Sequence, residues 1–396
     1  MPDASILKTT AWQVIREQQA ALSELALRIL QHPELGYAEA QASAWLCQIL
    51  TRHGFQIQQP LGNLPTAFLA ERSNVNCTSP KIAFLAEYDA LPNVGHGCGH
   101  NLIGAAAVGA AMGVAAVLAQ TGGSVCVIGT PAEEFLGQEE GKVKLLQAGA
   151  FDGIDVALML HPHYDHQLLG SDLGFVACEF VFHGRPAHAA ADPWNGINAL
   201  DGLLATFNNI ALLRQQLQPE VRVHGIITDG GQAPNIIPER AAARFMVRAP
   251  NPALLEQVYA RVLDCAQAGA VASGTQVDIR HITTVYNTRI HPTLNHLIAQ
   301  NMAQLGSPIT LPPRQMSASS DFGNVSQVLP SAMFMIKTHP EGIPWHSVEV
   351  ATASGQEMAL HGMILGACAL AGVAIDLLTD STLLGQARKD FEHDQR

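Results

Sequence analysis

Short apolar runs separated by helical patterns are the feature that most constrains how this chain of 396 residues can fold. The runs are too short for buried helices, and turn residues follow them. They lie at 67–70, 81–86, 124–129 and 156–160, with helical patterns before them at 11–30 and 39–52. Strands that alternate with helices predict an α/β fold with a mostly parallel sheet covered by helices on both faces.

The pattern changes after Gly174 and returns to α/β from about His291. The intervening strands are predicted at 175–183, 221–228, 240–248 and 275–284, with helices at 197–217 and 252–272. This β-α-β-β-α-β order is that of a ferredoxin-like α+β domain. We therefore predict a discontinuous larger domain, formed by 1–173 and 288–396, with 174–287 inserted into it. A strand at 332–337 and a long helix after Val350 complete the larger domain, and we expect the polar tail 386–396 to be frayed.

The overall charge limits the partners that the chain can bind. A formal net charge of -12 argues against nucleic acid and anionic membranes, which require clustered Lys and Arg. The sequence therefore favours a small-molecule substrate.

Two apolar stretches, 102–119 and 358–378, are rich in Ala and Gly, and we expect them to be buried helices rather than membrane spans.

Cysteine usage and the amino-terminal residues bear on the compartment. Seven cysteines with no paired spacing argue against a disulfide framework and for a reducing compartment. A secretory signal has a basic region followed by an apolar core, and the start Met-Pro-Asp-Ala-Ser shows no such pattern. We expect a cytoplasmic protein.

A cysteine and a histidine two residues apart form the first candidate metal-binding group. Cys98 and His100 lie in Gly95-His-Gly-Cys-Gly-His-Asn101, shortly after the strand predicted at 81–86. Glycines allow the backbone to turn sharply enough for a thiolate and an imidazole to converge on one cation.

Two adjacent carboxylates follow the next predicted strand. Glu133 and Glu134 end the segment Thr130-Pro-Ala-Glu-Glu134. Open α/β sheets bind ligands at the carboxyl ends of their strands. Neighbouring side chains point different ways, so one carboxylate can bind a metal while the other faces a water. A solvated acidic loop is the alternative, and the position directly after a strand favours the site.

Histidines lie near the ends of two further strands. His161 belongs to Leu160-His-Pro-His163, and His346 to Pro344-Trp-His-Ser347. His163 could compete with His161, but we rank it second because we expect it to point to the opposite face. Taken singly, each histidine could be an ordinary core or loop residue.

As a set, five side chains supply one thiolate, three imidazoles and one carboxylate: Cys98, His100, Glu134, His161 and His346. Five protein ligands are too many for one catalytic metal that must keep an open position, but they suit two metals that share a bridge. The thiolate and imidazoles favour zinc, and the carboxylate would also admit manganese. We expect two divalent metal ions per chain.

Six motifs, taken in order along 32–355, resemble those of the peptidase M20 family, the aminoacylase and carboxypeptidase G group of metallopeptidases. They are Glu87-Tyr-Asp-Ala-Leu-Pro92, Gly95-His-Gly-Cys-Gly-His-Asn101, Thr130-Pro-Ala-Glu-Glu134, Gly184-Arg-Pro-Ala-His188, Asn235-Ile-Ile-Pro238 and Ser320-Asp-Phe-Gly-Asn324. The resemblance is strongest to the family's cysteine-ligand branch. Within that branch it is strongest to Xaa-Arg and β-alanyl-lysine dipeptidases, through Pro193-Trp-Asn-Gly-Ile-Asn-Ala-Leu-Asp201 and Arg222-Val-His-Gly-Ile-Ile227.

The resemblance implies a hydrolase of the amide bond in a dipeptide or N-acyl amino acid with a free carboxylate. Cys98 would bridge the two metals. Glu133 would be the general base, taking a proton from the attacking water and passing it to the leaving amine. Asp89 would orient the ligands. Glu87 lies where other branches have a ligand histidine, and we leave it out of the ligand set.

The resemblance also implies roles for the inserted segment. It makes 1–173 and 288–396 the metal-binding catalytic domain, and 174–287 a lid and dimerisation domain. His188 would enter the active site of the partner subunit in a homodimer and stabilise the oxyanion. Asn235 and Arg248 would hold the substrate's carboxylate and adjacent backbone. From the residue types alone, a turn asparagine and a surface arginine are the alternatives.

Two other functions are compatible with parts of the sequence. A homologue that has lost catalysis could serve as a metal-stabilised binding or scaffold protein, but the base and every ligand are present. A nucleotide-dependent α/β enzyme would need a glycine-rich GxGxxG or Walker loop, which the sequence lacks. Asp321-Phe-Gly323 has no accompanying kinase motifs, and we assign it to the wall of the pocket.

Overall fold

The computed structural model describes residues 3–134, 138–316 and 318–393. Its helices are α1 (Ala4–Glu17), α2 (Gln19–Gln31), α3 (Ala40–Arg52), α4 (His100–Ala115), α5 (Leu118–Thr121), α6 (Gly141–Gln147), α7 (Ala199–Arg214), α8 (Pro252–Ser273), α9 (Pro292–Gln304), α10 (Phe322–Val328), α11 (Val348–Ala353), α12 (Glu357–Thr379) and α13 (Ser381–His393). Its strands are β1 (Gln56–Gln58), β2 (Phe68–Ser73), β3 (Lys81–Ala86), β4 (Ser124–Gly129), β5 (Val156–His163), β6 (Gln167–Ser171), β7 (Gly174–His183), β8 (Arg222–Asp229), β9 (Arg240–Ala249), β10 (Gln276–Val285), β11 (Arg314–Gln315) and β12 (Ser331–Lys337).

The large sheet has eight strands in the order β1-β2-β4-β3-β5-β12-β6-β11. Its centre, β4-β3-β5-β12, is parallel, whereas β2 pairs antiparallel with β4 on one side and β6 with β12 on the other. Strands β3, β4 and β5 are buried on both faces almost throughout. This confirms the predicted α/β class and explains why these strands are continuous apolar runs in the sequence.

The four central strands all end at the same edge of the large sheet. Ala86 at the end of β3 pairs with Gly129 at the end of β4. His163 at the end of β5 pairs with Lys337 at the end of β12. The segments that carry the predicted donor residues therefore leave the sheet side by side.

The two Ala- and Gly-rich stretches form α4 and α12, which pack against each other. Every residue of α4 is buried. Helix α12 is long and apolar enough to cross a membrane by length and composition, but 83% of its most apolar window is buried inside the protein. Small residues allow the close approach, since a Cβ on Gly109 would lie 3.4 Å from the Cβ of Ala367. Both helices are core helices, as predicted.

The small sheet has four antiparallel strands in the order β10-β7-β9-β8, and the helices α7 and α8 pack on it. Chain order is β7-α7-β8-β9-α8-β10, which is the predicted β-α-β-β-α-β order. This layer has its own apolar core, which includes Phe180, Phe182 and Phe245. The domain boundaries at 174 and 287 stay a prediction.

Two expectations about helices are wrong. The helix expected at 11–30 is two helices, α1 and α2, which Gln18 separates without a glycine or proline that would mark the break. The tail expected to be frayed from 386 on belongs to α13 as far as His393, and residues 394–396 lie outside the described residues. Ala387 is fully buried, and its carbonyl lies 2.9 Å from His291 Nε2. The buried residues Leu384 and Ala387 thus pack this otherwise polar helix against α9 and α12.

Candidate active site

Gly99 determines how Cys98 and His100 reach the edge of the large sheet. Its φ of 75° is in the left-handed region, which costs a residue with a side chain about 1–2 kcal/mol. A Cβ on Gly99 would also lie 2.8 Å from Cγ of Pro162, the residue after His161. Glycine therefore allows the turn before α4 to approach β5 closely enough to bring Cys98 and His100 beside His161.

Two groups of predicted donor residues share Cys98. Donor atoms of Cys98, His100 and His161 lie within 4.8 Å of one another, and so do those of Cys98, Glu134 and His346. Donors that bind one zinc at about 2.0–2.3 Å must lie within roughly 4.6 Å of each other. Each group therefore has close to the spacing of one metal site, and Cys98 is the residue that the two groups share.

Hydrogen bonds orient the donors of both groups. His100 Nδ1 lies 2.9 Å from Asp89 Oδ1, and His161 Nδ1 lies 2.9 Å from the Pro162 carbonyl oxygen. These oxygens can only accept, so each Nδ1 carries a proton and Nε2 is the nitrogen left to bind a cation. His100 Nε2 is buried and makes no hydrogen bond to any described residue, so a divalent cation would satisfy it. Asp89 Oδ2 also accepts from the backbone N–H of Glu134, at 2.9 Å.

The adjacent glutamates have opposite electrostatic environments. Burial raises the pKa of Glu133 well above its usual value, and the charges of Glu134 and Glu87 raise it further. Burial also opposes ionisation of Glu134, but the hydrogen bond from His346 and the charge on His100 outweigh it and lower the pKa of Glu134 to about 2. A raised pKa suits a general base, and a lowered pKa suits a metal ligand.

The environment of Cys98 raises the pKa of its thiol, and a bound cation would have the opposite effect. Burial raises its pKa well above the usual value, and the neighbouring charges of Glu134 and Glu133 act in the same direction. A coordinated thiol is deprotonated by the charge of the metal. The donor set of thiol, imidazoles and carboxylate therefore fits divalent cations.

Lys142 and its two carboxylate partners are buried behind His100, and sequence analysis missed this arrangement. Lys142 Nζ lies 2.5 Å from Glu87 Oε1 and 2.6 Å from Asp321 Oδ1, and its side chain is 0% exposed. Glu87 Oε2 lies 3.3 Å from His100 Nε2. Glu87, Asp321 and Glu133 also lie within metal-binding spacing of one another. Because Lys142 already compensates Glu87 and Asp321, we leave Glu87 out of the ligand set.

A cavity of about 380 Å³ connects the donor groups with the small sheet. Cys98, Glu133 and Glu134 line one side, and Arg248 lines the other. The Arg248 guanidinium donates to Ser319 Oγ at 2.7 Å and lies over the ring of Phe175 at 5.2 Å. Asp321 is part of the wall, as predicted. A cation on Arg248 thus shares one cavity with the predicted base and ligands.

His188 and Asn235 are not brought to this cavity within one chain. Both side chains are exposed and neither lines the cavity. They lie close together on the inserted segment, where the backbone N–H of Ala189 donates to the Asn235 carbonyl at 3.0 Å. Their predicted roles therefore require a second subunit.

His163 lies on the same side of β5 as His161, so the expectation that it points to the opposite face is wrong. Residues two apart in a strand share a face. The rings of His161 and His163 lie 5.2 Å and 5.8 Å from the ring of Trp345. His163 belongs to neither donor group that includes Cys98, because its ring packs against Tyr164, at 4.1 Å. Packing, rather than strand direction, distinguishes the two histidines.

Comparison with known proteins confirms the family resemblance. Xaa-Arg dipeptidases of Mus musculus and Homo sapiens are 37% and 34% identical to this chain, over 98% of its length and 93% of theirs. A solved dinuclear metal binding peptidase of the M20 family from Bacillus subtilis has the same fold, with a TM-score of 0.69 and 20% identity, over 92% of this chain and 100% of that one. The model of Peptidase family M20/M25/M40 matches residues 83–354. The chain therefore belongs to peptidase family M20/M25/M40 and is a hydrolase of peptide-type amide bonds.

Proposed function

We propose that the chain is a dinuclear metal-dependent dipeptidase that acts on substrates with a free carboxylate. The observation that carries this proposal is the pair of donor groups that share Cys98. Zinc is the proposed metal because thiolate and imidazole are its usual ligands, and manganese is the alternative because the set also includes a carboxylate. Two such cations, when bound, would lower the pKa of water and polarise the scissile carbonyl.

The residues beside the donor groups supply the acid–base chemistry. Glu133 accepts the proton of the attacking water and later donates it to the leaving amine, for which its raised pKa is suited. Asp89 keeps the His100 ring in one orientation and one tautomer through the 2.9 Å hydrogen bond to Nδ1. Arg248, across the same cavity, binds the substrate carboxylate with two parallel N–H donors.

A dipeptide with a basic carboxy-terminal residue is the proposed substrate. Xaa-Arg dipeptidases are 34–37% identical to this chain over almost all of it. The match covers 98% of this chain, so it includes the inserted segment, and a related substrate class is the simplest expectation. N-acyl amino acids are the alternative, because they present the same carboxylate to Arg248.

We further propose a cytoplasmic homodimer in which His188 and Asn235 act on the partner subunit's substrate. Strand β8 lies at the edge of the small sheet, and unpaired edges favour strand pairing. Large apolar side chains are exposed on β8 and α7, namely Ile226, Ile227, Leu204 and Leu212. His188 would donate to the oxyanion that develops during attack. All seven cysteines are free thiols, as expected in a reducing compartment.

The proposal is tested by metal analysis and a substrate screen. Purified protein should bind two zinc or manganese ions per chain and hydrolyse β-alanyl-lysine or Xaa-Arg dipeptides in preference to aminobenzoyl-glutamate. Glu133→Gln should lower kcat by about 100-fold or more with metal content unchanged. Metal-loaded protein that hydrolyses none of these substrates would support the scaffold alternative, and undiminished turnover by Glu133→Gln would exclude Glu133 as the base.

A further inference from the structure

A second cavity adjoins the cavity that contains the donor groups. It has a volume of about 420 Å³ and lies on the face of the small sheet. Glu140, Phe175 and Met246 line both cavities, and Ala177 and Ile282 are among the apolar residues that line the second. The cleft is therefore longer than the space around the scissile bond, and Glu140 lies at the junction.

Glu140 links the larger domain to the small sheet. It is 3% exposed, and its Oε2 accepts a hydrogen bond from Thr283 Oγ1 on β10. Burial raises the pKa of Glu140 to about 7. The hydrogen bond from Thr283 acts in the opposite direction, and the charge on Asp321 raises the pKa further. A cation beside Glu140 would favour its ionised form.

The other carboxylates that line the first cavity already have partners. Asp321 is paired with Lys142 at 2.6 Å. Both oxygens of Asp172 accept from Thr288, at 2.6 Å each. Glu134 belongs to a donor group, and Glu133 is the proposed base. Among the described residues, Glu140 and Asp172 are the acidic groups of this wall that have neither a cationic partner nor a place in the proposed chemistry, and of the two Glu140 is the one that also lines the second cavity.

Arg248 and Thr283, the partner of Glu140, lie on β9 and β10, the two strands that pair with β7. Arg248 pairs with Phe175, and Thr283, the partner of Glu140, pairs with Ala177 on the same strand. The Cα atoms of Arg248 and Thr283 are therefore two strands and two residues apart, roughly 12 Å. With side chains reaching inward from both ends, one long amino-acid residue fits between the cation and the carboxylate.

We infer that Glu140 binds the cationic side chain of the substrate's carboxy-terminal residue, whose carboxylate Arg248 holds. This inference rests on the proposed function and assigns the preference for Xaa-Lys and Xaa-Arg to one residue. Phe175 and Met246 contact the aliphatic part of the substrate side chain, and the carboxylate pairs with its ammonium or guanidinium group.

Matched charged and neutral substrates test the inference. Glu140→Gln preserves the shape of the side chain and an acceptor for Thr283 but removes the charge. It should lower kcat/KM about 10- to 100-fold for β-alanyl-lysine and β-alanyl-arginine. The kcat/KM for β-alanyl-norleucine and β-alanyl-citrulline, which lack the cation, should change less than about threefold. Glu139→Gln, the same change at the half-buried neighbouring residue, should leave all four values unchanged.

Three results would overturn the inference. An equal loss on all four substrates and on N-acetyl-arginine would show that Glu140 supports the fold or the chemistry rather than cation binding. Thr283→Val, which keeps the charge but removes the hydrogen bond, would exclude charge recognition if it gave the same selective loss. A loss on β-alanyl-citrulline with N-acetyl-arginine unaffected would mean that Glu140 recognises the substrate's amino-terminal ammonium.

A failure of the proposed function can be told apart from a failure of this inference. If metal-loaded wild-type protein hydrolyses none of the substrates, the proposed function is wrong. Calorimetry with L-arginine and L-citrulline then tests the subsite directly. Tighter binding of arginine that is lost in Glu140→Gln supports the inference, and equal affinities refute it.

Discussion

Replacing Lys142 with methionine would remove the positive side chain that pairs with two buried carboxylates, Glu87 and Asp321. Lys142 Nζ lies 2.5 Å from Glu87 and 2.6 Å from Asp321, and all three side chains are at most 1% exposed. Burial alone would lower the pKa of Lys142, but the charges of Asp321 and Glu87 raise it instead. Breaking one buried ion pair in this way costs about 3–5 kcal/mol. Typical domains have a net stability of only about 5–15 kcal/mol, so this is a large loss.

Equilibrium urea unfolding followed by circular dichroism measures the cost. Metal-free and zinc-loaded protein should be compared separately, because a bound metal adds stability. The stability deficit of Lys142→Met should shrink as pH falls from about 8 to about 5.5. Without the lysine, burial should raise the pKa values of Glu87 and Asp321 in the folded state, so that both carboxylates become neutral as the pH falls.

Lys144→Met, two residues further along α6, is the matched control. The Lys144 ammonium lies over the ring of Tyr37 at 4.1 Å, a contact worth about 0.5–1 kcal/mol. A loss of less than about 1 kcal/mol for Lys142→Met at pH 8 would refute the argument. A deficit that grows as pH falls would refute it as well.

Three further substitutions test the geometry of the site. Cys98→Ala should reduce bound metal from two ions per chain to one or none, measured by mass spectrometry, whereas Cys98→Asp should retain two. Retention of both ions and full activity by Cys98→Ala would exclude the bridge. Gly99→Ala should lower the free energy of unfolding by about 1–2 kcal/mol or more, measured by urea unfolding, because of its φ of 75° and the contact with Pro162. Arg248→Lys should raise KM about tenfold or more in steady-state kinetics with a smaller change in kcat, since an ammonium cannot form the two parallel bonds to a carboxylate; an unchanged KM would place the carboxylate elsewhere.

The parts of the fold that could be predicted are those where local sequence and burial agree. Strands β3 and β4 have the predicted bounds because strands buried on both faces are apolar at every position. The five predicted donor residues come together because parallel strands deliver their carboxyl ends to one edge. Strand order and chain direction therefore carry much of the information about the candidate site.

The parts that could not be predicted depend on distant or intermolecular contacts. Lys142 and Lys144 lie in one short helix, and nothing local tells the buried lysine from its half-exposed neighbour. The difference arises from Asp321, which is far away in the sequence. Likewise, the predicted roles of His188 and Asn235 cannot be seen in one chain, because both residues lie away from its own cavity.

His346 makes the two donor groups unequal in their access to solvent. Its side chain is 54% exposed, whereas that of His100 in the other group is 0% exposed. We therefore expect a chelator to reach a cation bound by Cys98, Glu134 and His346 more readily than one bound by His100 and His161. Metal loss should be sequential, and protein with one metal ion should be a long-lived species. The supply of metal would then change the activity of this enzyme in steps rather than switch it on and off.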